Sequence, residues 1–137
     1  MVVGLGARRA RSENTPDPQM ILLDTNAIVW TVTRHRRARP LRAASDLAIS
    51  PASLLELNML VTLGRIRVRL QDVLDDERWA VDDPPALEWF TRAADEGWTR
   101  DPFDRLIVAH ARLRRARLAT GDGPLLEHLR SSEVLAL

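Results

Sequence analysis

Short apolar runs alternate with longer stretches of helical period along this chain, and their order predicts the class of fold. Met20-Ile21-Leu22-Leu23 runs straight into Asp24-Thr25-Asn26, and Leu47-Ala48-Ile49, Trp79-Ala80-Val81 and Arg117 to Thr120 are runs of similar length. Such runs suit strands buried on both faces of a parallel sheet. Val134-Leu135 reads as a last edge strand.

Helical patterns fill the intervals. One covers residues 26 to 33, a basic exposed connection follows from Arg34 to Pro40, and Leu41 to Asp46 reads as a short helix. Ser50-Pro51 supplies an N-cap and a proline at the first helical position, so a helix runs from there to about Leu63 and stops at Gly64. Gln71 to Glu77 is a further short helix. Ala86 to Glu96 is predicted helical with Leu87, Phe90 and Ala94 on its inner stripe, ending at Gly97. Asp101-Pro102 starts the next helix, carrying Phe103, Leu106, Ile107, Ala109, His110 and Leu113, and a last one follows Gly121-Asp122-Gly123-Pro124 to about Leu129. Strands separated by helices imply βαβ crossovers: an α/β domain with a parallel sheet of four to five strands and helices on both faces. Residues 1 to 19, with Gly4, Gly6, Pro16 and Pro18 and no periodicity, read as a disordered leader, so the domain spans 20 to 137 and Met20 is an alternative start.

Composition narrows the function. A chain of 137 residues is one domain, and 45% hydrophobic with 28% charged residues excludes wholesale disorder. The absence of cysteine removes disulfides, thiolate metal sites and cysteine nucleophiles together and suits a reducing cytosol. No apolar run is long enough to span a bilayer or to form a signal peptide. Net charge is only +1, yet all 20 basic residues are arginine. Genomic base composition is the plainer source of that bias, but arginine also prefers planar anionic partners such as phosphate. The arginines cluster at Arg34, Arg36, Arg37, Arg39 and Arg42, at Arg65, Arg67 and Arg69, and at Arg112, Arg114, Arg115 and Arg117. Such clusters can act as local phosphate footprints even in a chain of balanced charge.

The carboxylates carry the chemistry. Asp24 follows the first strand and Asp122 the fourth, at the same end of a parallel sheet, where ligands of open α/β sheets bind. Glu56 sits on a helix whose neighbours Leu54, Leu55, Leu57, Met59, Leu60, Val61 and Leu63 are apolar nearly all round, so the helix is expected to be buried and its acid to need a partner. Asp104 opens the helix that starts at Asp101. Each has an ordinary reading: Asp101 and Asp104 as helix cap and first-turn acid, Asp122 as a turn residue, Asp24 as a cap. Together they form an all-oxygen donor set that suits Mg²⁺ or Mn²⁺ and a phosphoryl substrate. Thr25, Asn26, Ser53 and Thr120 would orient the ligating carboxylates or the substrate. His35, His110 and His128 lack ligand spacing and read as solvated or packed.

These residues resemble a known family. Leu22-Leu23-Asp24-Thr25-Asn26, Ile49-Ser50-Pro51-Ala52-Ser53-Leu54-Leu55-Glu56-Leu57 with Gly64-Arg65-Ile66, Arg100-Asp101-Pro102-Phe103-Asp104-Arg105-Leu106-Ile107-Val108-Ala109, and Ala119-Thr120-Gly121-Asp122 stand in the order and spacing of PIN-domain ribonucleases of the VapC toxin type. The resemblance covers about residues 20 to 135. It implies a Rossmann-like fold and a Mg²⁺- or Mn²⁺-dependent endoribonuclease whose acids are Asp24, Glu56, Asp104 and Asp122, with Asp101 as a further candidate ligand. It also implies an RNA substrate followed by Arg34, Arg36, Arg37 and Arg105, a homodimer, and inhibition by a small VapB-like antitoxin. Residues 1 to 19 have no counterpart in the family, Thr99 replaces a frequent histidine, and Gly121 replaces a basic or polar residue; none of these departures removes an acid.

Three alternatives stay open at this point. A strand ending in an acid also opens haloacid-dehalogenase-like phosphoryl-transfer domains, which want a second acid where Asn26 stands. A receiver-like binding module would need a lysine, which the chain lacks. A PIN fold retained only for binding RNA or a partner fits the same residues.

Overall fold

Strand formation follows the apolar runs closely. In the computed structural model, which describes residues 15–137, the strands are β1 (Ile21–Leu23), β2 (Leu47–Ile49), β3 (Trp79–Val81), β4 (Arg117–Thr120) and β5 (Val134–Ala136). They form one sheet in the order β3-β2-β1-β4-β5, every pair parallel. The helices are α1 (Thr25–Val32), α2 (Pro51–Thr62), α3 (Leu70–Asp75), α4 (Ala86–Ala94), α5 (Pro102–Arg114) and α6 (Gly123–His128). Short 3-10 turns occupy Arg36–Leu41 and Ser131–Glu133.

Strand alternation splits the core into two layers. Leu22, paired with Ala48 and Leu118, faces a layer built with Trp89, Ala93, Ile107, Val108 and Ala111. Ile21 and Leu23, paired with Leu47 and Ile49, face Ala27, Ile28, Leu57, Val73 and Trp79. Helices therefore cover both faces of the sheet. The central strand β1 has β2 on one side and β4 on the other, so the chain reverses its direction of winding there, and the carboxyl ends of β1 and β4 form the switch point at which open α/β sheets place their ligands.

Caps and prolines set the helices. Ser50 Oγ accepts from the Ala52 amide ahead of Pro51, Asp101 Oδ1 accepts from the Phe103 amide ahead of Pro102, and Asp122 Oδ2 accepts from the Leu125 amide of α6. Past α2, Gly64 takes a φ of 73°, the left-handed conformation that glycine adopts without a Cβ clash.

Three expectations are corrected. First, the basic connection from Arg34 to Pro40 is largely a 3-10 turn, because His35 Nδ1 caps the Arg37 amide at 3.1 Å and Leu41, 3% exposed, anchors its end; residues 42–46 form no helix. Second, α2 is not buried all round: it buries Ala52, Ser53 and Leu57, while Leu55, Met59 and Leu63 are 58%, 45% and 63% exposed. Its packed side meets α1, α3 and α5, and the side that carries Leu55, Met59 and Leu63 faces solvent. Third, α4 is rotated from its expected face. Trp89 and Ala93 point inward and Leu87 and Phe90 outward, because Trp89 buries the larger ring while its indole N–H donates to the Leu106 carbonyl at 2.7 Å.

Residues 1–14, where most of the expected leader falls, lie outside the described residues. Thr15–Gln19 run beside the end of α5, where the Asp17 amide donates to the Arg114 carbonyl at 2.6 Å. Among the described residues no helix is long and apolar enough to cross a membrane.

Candidate metal and nuclease site

Beyond the ends of β1 and β4, side chains from four elements approach one space. Asp24, directly after β1, is 6% exposed; its Oδ1 accepts from the Thr25 amide at 2.7 Å and its Oδ2 from Thr120 Oγ1 at 2.8 Å. Thr120 Oγ1 in turn accepts from the Asp122 amide at 3.0 Å, which ties the loop after β4 to the acid after β1. Thr25 Oγ1 donates to Glu56 Oε1 and lies 3.2 Å from Ser53 Oγ, so α1 positions the acid of α2.

The charges of these acids act on one another. Burial raises the pKa of Asp24; hydrogen bonds from Thr120 and Thr25 oppose the rise, and the charges of Asp122 and Asp101 add to it. Glu56 is raised by burial, against its bond from Thr25, with the charges of Asp24, Asp101 and Asp122 adding to the rise. Asp104 is pushed up to about 7, by burial first and then by Asp101, Asp24, Asp122 and Glu56. Like charges held together bind protons in the absence of a compensating cation.

Asp101 and Asp104 differ in their freedom. Asp101 is exposed and spends Oδ1 on capping α5, through the Phe103 amide and, at 3.4 Å, the Asp104 amide. Asp104 is half-buried, and among the described residues its carboxylate is committed to no such cap. Asp122 also caps its helix, through one oxygen.

Among the described residues no three acidic or histidine side chains already form a cation cage. The donor set still fits a hard divalent cation: it is all oxygen and anionic, and its charges raise the pKa of Asp24, Glu56 and Asp104, a repulsion that a cation relieves.

Other expected residues are placed differently from one another. Thr25, Ser53 and Thr120 are buried at the site, whereas Asn26 stands exposed on α1 with no side-chain hydrogen bond to these acids among the described residues. Arg37 reaches it: its guanidinium stacks 4.2 Å from the Trp30 ring and donates to the carbonyls of Gly121, at 3.3 Å, and Leu137, at 3.0 Å. Arg105 is turned to the Thr99 carbonyl at 2.6 Å and braces the loop before α5. Arg34, at φ 59°, lines a crevice with Arg42, Leu47 and Arg78 near the start of β2, away from the acids, and Arg36 is exposed.

Sequence reasoning missed a second polar group. Asp82 follows β3 as Asp24 follows β1, and it is buried against His110 and Arg114. The signal was that shared position after a strand, hidden by the Asp82-Asp83-Pro84-Pro85 stretch that reads as a chain break.

Comparison with known proteins now has a geometry to attach to. The PIN domain family model matches residues 21–128. The chain belongs to the PIN-domain family. Among solved structures, a chain of the VapBC2 complex from Rickettsia felis, crystallised with a DNA fragment from its promoter, matches with a TM-score of 0.64 at 20% identity; the match covers 86% of this chain and 98% of that one. That likeness shows the fold. No curated protein sequence matches the chain. PIN membership displaces the haloacid-dehalogenase alternative, whose second acid the exposed Asn26 does not supply.

Proposed function

We propose that this PIN domain is a metal-dependent endoribonuclease, the toxin of a type II toxin–antitoxin pair of the VapC kind, acting in the cytoplasm. The observation that supports the reading is the electrostatic coupling of Asp24, Glu56, Asp104 and Asp122 at the switch-point end of the sheet, each of the first three raised in pKa with carboxylates as its charged neighbours. These four would hold Mg²⁺ or Mn²⁺, with Asp104 rather than the capping Asp101 as the direct ligand from α5. When bound, the cation supplies Lewis-acid chemistry at a phosphodiester.

The chain's own residues supply the rest. Thr120 and the Thr25 amide fix both oxygens of Asp24, and the Thr25 hydroxyl fixes Glu56, so the acids are held before substrate arrives. Arg37, beside Gly121, is the arginine placed to meet an RNA phosphate next to Asp122; its remaining N–H groups suit that contact. The exposed apolar side chains Leu55, Met59 and Leu63 on α2, and Leu87 and Phe90 on α4, support docking of a VapB-like antitoxin or a second copy of the chain.

The test is cleavage of a total-RNA pool by purified protein with Mg²⁺ or Mn²⁺, beside an EDTA control and Asp24→Asn. Discrete fragments that need both the metal and Asp24 are expected. Intact RNA in the presence of folded, Mn²⁺-loaded wild type would replace the enzyme with a PIN fold that only binds RNA or a partner.

A further inference from the structure

Behind the acids, on the side of the sheet covered by α5, four polar residues form a closed chain among apolar neighbours. Ser50 Oγ lies 2.8 Å from His110 Nδ1, His110 Nε2 lies 2.7 Å from Asp82 Oδ2, and Arg114 Nε donates to the same Asp82 oxygen at 2.7 Å. Ser50, His110 and Arg114 are 0% exposed and Asp82 is 2% exposed.

The proton positions follow from the donors and acceptors. Arg114 and His110 hold Asp82 ionised: burial pushes its pKa up, but their hydrogen bonds and charges outweigh that and lower it. A carboxylate only accepts, so His110 Nε2 carries the hydrogen. Burial keeps the imidazole neutral, which leaves Nδ1 as an acceptor for the Ser50 hydroxyl. Ser50 Oγ still accepts from the Ala52 amide at 3.2 Å as the cap of α2. Every hydrogen bond therefore has one direction, from the α2 cap through His110 to Asp82.

Serine, histidine and aspartate are also the residue types of a hydrolytic triad. With Ser50 closed to solvent, no substrate reaches its hydroxyl. What the chain joins is more informative. Ser50 caps α2, which carries Ser53 and Glu56; His110 lies on α5, which carries Asp104; Asp82 is fixed to the end of β2 by the hydrogen bond its amide donates to the Ile49 carbonyl at 3.0 Å. The imidazole is a direct side-chain bridge between the helix of one acid and the helix of another.

We infer that His110 is a positioning residue of the metal site: through Ser50 and Asp82 it sets α2 against α5, and so Glu56 against Asp104. This rests on the nuclease reading for its consequence, though the geometry it describes does not. Glutamine can reproduce the bridge, its amide N–H facing Asp82 and its amide oxygen facing Ser50. Leucine cannot.

The experiment compares His110→Leu, His110→Gln and, as a destabilised control away from the bridge, Val73→Ala, which opens a gap at a fully buried position of α3. Three readouts are taken on full-length protein: amide chemical shifts of Thr25, Ser53, Glu56 and Asp104 without metal, Mn²⁺ affinity by titration of free Mn²⁺, and RNA cleavage. His110→Leu should shift those amides, weaken Mn²⁺ binding and lower kcat on the order of 10²-fold with KM little changed, as expected for misplaced catalytic groups. His110→Gln should restore all three, and Val73→Ala should lose thermal stability without them.

Unshifted amides in a folded His110→Leu, or equal losses in Val73→Ala, would overturn the inference. A wild type that binds Mn²⁺ and leaves RNA intact would reject the nuclease reading instead, and the amide shifts would still decide the role of His110.

Discussion

Thr120 Oγ1 donates to Asp24 Oδ2 across 2.8 Å, joining two residues 96 positions apart at the ends of adjacent strands. That bond does two things at once. It lowers the cost of a carboxylate 6% exposed, and, because the same oxygen accepts the Asp122 amide, it fixes a second acid relative to the first.

Asp24→Asn should therefore separate fold from chemistry. Asparagine still caps α1 through its amide oxygen, and its NH2, in place of Oδ2, donates to Thr120 Oγ1, so thermal stability should stay within about 1 kcal/mol of wild type. RNA cleavage should fall to background. Wild-type cleavage by this variant would remove Asp24 from the metal site.

The acids also predict how the metal-free protein responds to pH. Asp104 titrates near 7 in the fold against 3.8 as its ordinary value, so the folded state holds the proton more tightly than the unfolded chain does. A raised carboxyl destabilises the fold when ionised. Stability should accordingly rise as pH falls from about 7 towards 4, as Asp24 and Glu56 shift in the same direction. Thermal melts in EDTA should show a higher midpoint at pH 5.5 than at pH 8, a gap that narrows in Asp104→Asn and on addition of Mg²⁺ at pH 8. His110, held neutral by burial, acts in the opposite sense below its ordinary 6.5, so the deciding comparison is between variants: the same pH dependence in wild type and Asp104→Asn would refute the crowding of these acids.

Arg37 and Arg34 should behave differently although both belong to one basic cluster. Arg37→Gln, at the acid crevice, should weaken RNA binding and reduce the slope of log affinity against log salt by roughly one. Arg34→Gln, beside Leu47 at the start of β2, should leave both unchanged. The reverse pattern would move the RNA path to the other rim.

Gly121 is a place where only hydrogen fits. A Cβ there would meet Arg37 Nη2 and come within 2.7 and 2.9 Å of the Trp30 ring. Gly121→Ala should cost about 1 to 3 kcal/mol in urea unfolding and displace Arg37, lowering RNA affinity as Arg37→Gln does. An unaltered urea midpoint would mean that Trp30 and Arg37 are not packed against the loop.

The buried ion pair offers the largest stability effect. Asp82→Asn removes the carboxylate that Arg114 faces at 2.7 Å with both side chains almost fully buried, and breaking such a pair costs about 3 to 5 kcal/mol. A loss under about 1 kcal/mol would show that Arg114 is solvated there.

By itself the sequence determined the strands, the helix starts and the positions of Asp24 and Asp122 after β1 and β4. Runs such as Ile21–Leu23 and Leu47–Ile49 are legible because a strand buried on both faces needs uninterrupted apolar residues, and Ser50-Pro51 and Asp101-Pro102 because capping is local chemistry. Which face a helix buries was not local. Leu87 and Phe90 fit an apolar stripe as well as Trp89 and Ala93 do, and only the competition for the surface of α5 turned α4 toward Trp89. Burial of α2 depended likewise on which helices pack beside it. The tie from Asp24 through Thr120 to Asp122, the placement of Arg37 apart from Arg34, and the chain from Ser50 to Arg114 all depend on bonds between distant segments. Only the tertiary structure decided them, because a side chain's partner across the fold leaves no period and no spacing in the sequence.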